Sequence, residues 1–93
     1  MLDQDIQGYR PAKDCVVCSY GDGLAVLDMR SNQYFSLDAV GAVVWEVIAR
    51  AGNRDEMITA VTEAYDVTPE VCAADIAALL SELHAQNLIE PVQ

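Results

Sequence analysis

Short apolar runs separated by turn formers occupy the first part of the chain. Asp14 to Tyr20, with Cys-Val-Val-Cys-Ser-Tyr at its centre, reads as a strand, and Leu24 to Met29 as a second. Between them Gly21-Asp22-Gly23 is a turn whose glycines can supply positive φ. A second tight turn at Arg30-Ser31-Asn32 leads into Gln33 to Leu37, which alternates and carries two aromatics. Three short strands joined by tight turns predict an antiparallel meander with the third strand at an edge. Residues 1 to 13 show no periodicity, and Gly8, Pro11 and Lys13 predict an irregular lead-in.

At Asp38 the period changes. Its side chain can accept from the first free amides of a helix, an N-cap. Val40, Val43, Val44, Val47 and Ile48 follow at spacings of three and four, one helical face running from about Ala39 to Arg50. A helix this apolar must be buried, so the junction of third strand and first helix is the centre of the core. Gly52 offers the left-handed stop. Asn53 with Glu56 forms the pattern of a capping box for a second helix that buries Met57, Ile58, Val61, Ala64 and Tyr65. Thr68-Pro69-Glu70 opens a third helix, with Val67 and Cys72 placed for a hydrophobic staple. Its inner stripe is Cys72, Ile76, Leu79, Leu80 and Leu83; Asn87 ends it in the left-handed conformation, and Leu88-Ile89 closes the core. The expectation is a single α+β domain over residues 1–93, a three-stranded antiparallel sheet followed by three α-helices.

Composition narrows the function. The net charge of −10 and five scattered cations, Arg10, Lys13, Arg30, Arg50 and Arg54, exclude nucleic acid, which demands clustered positive charge. Anionic membrane surfaces are disfavoured for the same reason. No apolar run approaches the roughly 18 residues of a membrane span. The acidic, polar start Met-Leu-Asp-Gln-Asp-Ile-Gln-Gly is unlike a signal peptide, and three cysteines then point to reduced thiols in the cytoplasm.

Candidate chemistry is thin. Cys15 and Cys18 form a CxxC, but within a strand residues three apart face opposite sides, with Cα atoms roughly 10 Å apart. Without a second pair they read as structural thiols, and Cys72 on the third helix as core. His84 stands alone, in the last turn of that helix, and one histidine builds neither triad nor metal site. The glycines are spread among turns, leaving no phosphate loop. No catalytic residue, metal or cofactor is expected. What remains is Tyr34 and Phe35 on an edge strand, beside an outward helix face with Ala74, Asp75, Ala78 and Glu82. The small alanines predict a shallow channel, where an extended peptide can dock by β-addition.

These motifs in this order resemble the PqqD-like family, the leader-recognition domains of ribosomal peptide natural-product pathways. The carrying residues are Leu27-Asp28, Tyr34-Phe35-Ser36-Leu37-Asp38, Gly41 and Trp45, then Tyr65-Asp66-Val67, Asp75, Leu79-Leu80, Leu83 and Leu88-Ile89. The likeness covers about Asp14 to Glu90. Asp38 stands where the family usually has Asn, and Asn87 where Gly is common; both can cap or turn the chain.

The resemblance implies a winged-helix-like fold and binding rather than catalysis: a RiPP recognition element. A precursor's leader adds as a strand to the third strand beside the third helix, and passes to a leader protease or other maturation enzyme. A free-standing chain of this length is most similar to the small partner of a lasso-peptide leader protease, and less similar to PqqD of quinone-cofactor synthesis. By position, Gln33, Tyr34, Phe35, Ser36 and Leu37 supply the pairing edge, with Asp75, Ala78, Leu79 and Glu82 opposite. The acidic surplus can steer a basic partner, whether leader or protease. A winged helix also suggests a DNA-binding regulator. Against this, Thr68 to Asn87 holds no Lys or Arg, and carries Glu70, Asp75 and Glu82.

Overall fold

The computed structural model describes residues 7–92. The first six residues, part of the expected irregular lead-in, lie outside that range. The elements are β1 (Gly8–Pro11), β2 (Cys15–Tyr20), β3 (Gly23–Asp28), β4 (Gln33–Leu37), α1 (Ala39–Ala49), α2 (Arg54–Ala64), α3 (Pro69–Ala85) and β5 (Ile89–Val92). The α+β, winged-helix-like plan holds: the antiparallel sheet β2-β3-β4 precedes three helices.

One element departs from expectation. Gly8–Pro11 is not irregular but pairs antiparallel with β5, from Gly8 opposite Val92 to Pro11 opposite Ile89. Nothing local predicts this strand, because its partner lies some 80 residues away (Arg10 Nε to Glu90 Oε1, 3.1 Å). Each strand of the pair has a free edge, so Pro11 and Pro91 can omit an N–H without breaking a ladder. The Ala12 N–H donates to the Leu88 carbonyl at 2.9 Å and the Tyr9 N–H to Gly52 at 3.0 Å. Together these bonds tie the start of the chain to both ends of the helical layer.

The helix caps follow the sequence closely. Asp38 Oδ1 accepts from the Gly41 N–H at 2.8 Å. Asn53 and Glu56 close a reciprocal capping box at 2.9 and 2.8 Å. Thr68 Oγ1 accepts from Val71, with Pro69 at the first helical position. The end of α1 differs in detail, since Ala51, not Gly52, holds the positive φ of 61°. The Gly52 N–H reaches back to Val47 O and the Ala51 N–H to Ile48 O, both at 2.9 Å, a Schellman pattern shifted by one residue. Gly52 is required for space, because a Cβ there would lie 2.4 Å from Val47 Cγ1. At the end of α3 the expected residue does turn: Asn87 has φ 62°, and the Leu88 N–H donates to Leu83 O at 3.0 Å.

The core lies between the sheet and the helices. Val26, Val44, Ile48, Met57 and Leu83 are fully enclosed, with Leu37, Trp45, Val47, Ile76, Leu80 and Ile89 around them. Trp45 joins this core from outside the predicted valine stripe, while Val40 and Val43 are only partly covered. On α2 only Met57 and Val61 are buried; Ile58 is half-buried, and Ala64 and Tyr65, expected inside, are exposed. These last two sit at the helix end, where α2 stops packing and the chain turns toward α3.

A polar knot pins the far end of the sheet. The nearly buried Asp28 accepts from the Arg30 N–H at 3.0 Å, Ser31 Oγ at 3.1 Å and Arg30 Nε at 3.3 Å. Those donors, the Arg30 N–H first, hold its carboxyl below the usual carboxylate range. Arg30 Nη2 also donates to the Asn87 carbonyl at 3.2 Å, joining the β3–β4 turn to the end of α3.

Candidate functional site

Strand order leaves two free edges on the three-stranded sheet, β2 and β4. On β4 the alternation expected from the sequence is present. Leu37 is buried and Phe35 half-buried on the inner side; Tyr34, 71% exposed, and Ser36 face out. Val26 stands opposite Phe35 and Leu24 opposite Leu37, fixing the register of the inner face.

Beside this edge lies a groove of about 1010 Å³. Phe35, Ser36 and Leu37 form one side and Cys72, Asp75, Ile76 and Leu79 of α3 another. The α3 set recurs at three and four residues, so a single helical face meets the groove. Val40, Gly41 and Val44 of α1 and Val61 of α2 complete the apolar lining, with Tyr65 and Val67 on the connection to α3. The end of the β2–β3 hairpin reaches the same groove through Tyr20, Asp22 and Gly23. There a side chain on Gly23 would collide with the Leu37 carbonyl, at 1.8 Å, so β3 can start against the end of β4 only with glycine.

The structure therefore brings together Phe35, Ser36, Leu37, Asp75 and Leu79 of the expected site. Gln33 and Tyr34 lie on the same strand outside the groove lining, as do Ala78 and Glu82 on the exposed side of α3. Ala74 and Ala78 form the stripe next to the lining face, so the small-residue channel is not the groove itself. Sequence reasoning missed the contributions of α1, the α2–α3 connection and the β2–β3 turn. Its one available signal was Tyr65-Asp66-Val67, two apolar residues stranded between helices.

Two of the thiols, Cys15 and Cys72, are pushed away from the reactive thiolate. Burial pushes the Cys72 thiol up, with the Asp75 charge adding to the effect, so it stays protonated at neutral pH and packs as a small apolar group. Cys15, also raised chiefly by burial, donates Sγ–H to the Leu88 carbonyl at 3.6 Å. Cys18, expected to be structural, is exposed on β2, because no helix covers that side of the sheet. His84 is exposed as expected and borders a separate polar cleft of about 460 Å³ with Tyr9, Asn53, Arg54 and Ser81. Among the described residues no group of three His, Cys, Asp or Glu could hold a metal ion, and no helix is long and apolar enough to cross a membrane.

Residues 23–89 match the family model of coenzyme PQQ synthesis protein D, PqqD. The chain belongs to the PqqD family. That match runs from the Gly23 turn through β4 and all three helices into β5, so it contains nearly all of the groove. Two solved structures share the fold. One is described as TbiB1 in complex with the TbiA(beta) leader peptide: TM-score 0.81, 24% identity, 90% of this chain and 98% of that one covered. The other is lasso peptide synthetase B1 complexed with the leader peptide: TM-score 0.80, 24% identity, 90% and 99% covered. No curated protein matches the chain. PqqD-family membership agrees with the resemblance read from Leu27-Asp28, Tyr34–Asp38 and Leu79-Leu80.

Proposed function

We propose that this chain is a non-catalytic peptide-binding module of the cytoplasm, a RiPP recognition element. It captures the leader of a ribosomally made precursor and delivers it to a leader protease or other maturation enzyme. The observation that carries this reading is the unpaired β4 edge lying against an apolar groove whose other wall is α3. A leader strand adds to Gln33–Leu37, its main chain supplying affinity, while alternate side chains enter the groove and supply specificity. Asp75 and Leu79 line the opposite wall, and Ala78 and Glu82 extend it along the helix. Two proteins of this fold, each described as a complex with a leader peptide, support the assignment.

The family description favours a second reading, a peptide chaperone of quinone-cofactor synthesis. The binding act is the same, and the precursor differs. Calorimetric titration of the chain with the synthetic leader of a short precursor encoded beside it tests both. Stoichiometric binding is expected, together with new hydrogen-exchange protection confined to β4 and α3. Protection elsewhere, or no binding by any neighbouring precursor, overturns the assignment.

A further inference from the structure

The groove has an apolar floor and an acidic mouth. Leu37, Val44, Val61 and Ile76 are buried along its floor, whereas Asp22, Asp38 and Asp75 are exposed at its margin. These carboxylates come from three separate places: the β2–β3 turn, the β4–α1 junction and the middle of α3. None of the chain's five Lys and Arg residues lines the groove. Arg10 is held by Glu90 at 3.1 Å, and Arg30 by Asp28 at 3.3 Å and Asp14 at 3.7 Å. Asp22 and Asp75 have no ion-pair partner among the described residues. Asp38 uses Oδ1 to cap α1 and lies exposed at the mouth. A −10 chain repels anionic peptides at long range, and three of its carboxylates stand at the groove with no cation beside them in the lining.

Resting on the leader-binding reading, we propose that the groove selects a cationic leader. Apolar side chains of its added strand enter the floor, and Lys or Arg residues near them meet Asp22, Asp38 and Asp75. Complementary charge speeds encounter and rejects acidic segments, while the floor and the strand edge hold what arrives. The acidic surplus thus serves the leader at this face, because the carboxylates ring the leader's groove.

The test is a selection from a displayed library of random 12-residue peptides against the full chain. Enriched peptides should pair apolar residues with at least one Lys or Arg. A winning peptide should bind Asp22→Asn and Asp75→Asn about two- to fivefold more weakly each, an exposed-pair effect. The loss should fade at high salt, and both variants should keep the parent's circular dichroism. Enrichment of neutral or acidic peptides, or equal binding by the double variant, overturns the proposal. N-methylation of each amide of the winning peptide separates this from the underlying reading. If no N-methyl group weakens binding, strand addition fails while charge selection stands. If no peptide is enriched, both fall.

Discussion

β2 and β4 are the two edges of one sheet, and they differ in everything except their unpaired amides. β4 lies beside α1 and α3, with Leu37 buried and Phe35 half-buried on the inner side. β2 is covered only at Cys15, where it starts; beyond that Val16 is 51% exposed, Val17 38% and Tyr20 66%. An unpaired edge offers hydrogen bonds to any strand. A groove beside it adds pockets for alternate side chains, and with them discrimination between strands. Only β4 combines the two along its length, and that is why the proposed site lies there; β2 merely lends Tyr20 at its end.

The largest effect should come from removing the wall that distinguishes β4. Leu83 anchors α3 and is fully enclosed. Leu83→Ala should cost about 2–5 kcal/mol, through lost burial and the residual cavity. That is a large share of the stability of a small domain, and urea denaturation followed by circular dichroism measures it. A loss under about 0.5 kcal/mol would place Leu83 among surface residues instead.

A smaller effect breaks the comparison directly. Proline lacks the amide hydrogen and is tolerated where that hydrogen faces away from the neighbouring strand. Single prolines through Gln33, Tyr34, Phe35 and Ser36 should split by parity. One set should weaken the fold; the other should stay folded and lose leader affinity by about 1 kcal/mol or more per hydrogen bond. Folded prolines at Val16, Val17 or Cys18 of β2 should bind leader like the parent. Calorimetry that finds equal losses on both edges removes the distinction.

Asp28 stands in the register row between Cys15 and Gln33, and its carboxyl holds the turn that leads from β3 into β4. Its carboxyl takes up a proton less readily in the folded chain than in the unfolded one. The stabilisation it gives is therefore present above the ordinary carboxylate range and is lost as pH falls through its depressed folded value. Asp28→Asn should be less stable at neutral pH, with the gap to the parent closing in acid. Thermal melts across that range check the sign.

The mildest probe reads exposure alone. In the native chain Cys18 should react quickly with a thiol reagent, Cys15 slowly, and Cys72 only on unfolding. Leader binding should leave the Cys18 rate unchanged, because β2 stays open. Mass spectrometry of alkylated protein follows all three, and should show no bond between Cys15 and Cys18.

Much of this was legible in the sequence because it is local. Asp38, Asn53-Glu56 and Thr68-Pro69 cap their own helices within three residues, so the caps need no partner from elsewhere. The same holds for the turn at Asn87 and for the alternation of β4. The net charge of −10 is likewise a sum over composition and needs no fold to be read. Periodicity also named Leu83, Ile76 and Val44 as core, because a helix with one apolar face has a single way to bury it.

Other features were settled only by tertiary contact. β1 exists because β5 returns to it from the opposite end of the chain, and Gly-Tyr-Arg-Pro carries no pattern of its own. The αL residue after α1 fell on Ala51, because the tight packing of Gly52 on Val47 reserved the glycine for space. The groove is the clearest case. Its walls come from the β2–β3 hairpin, β4, the three helices and the connections at Asp38 and at Tyr65–Val67, each contributing residues that look ordinary in sequence. A cavity is the space left between packed elements, and spacing along the chain does not encode how far apart two elements come to rest.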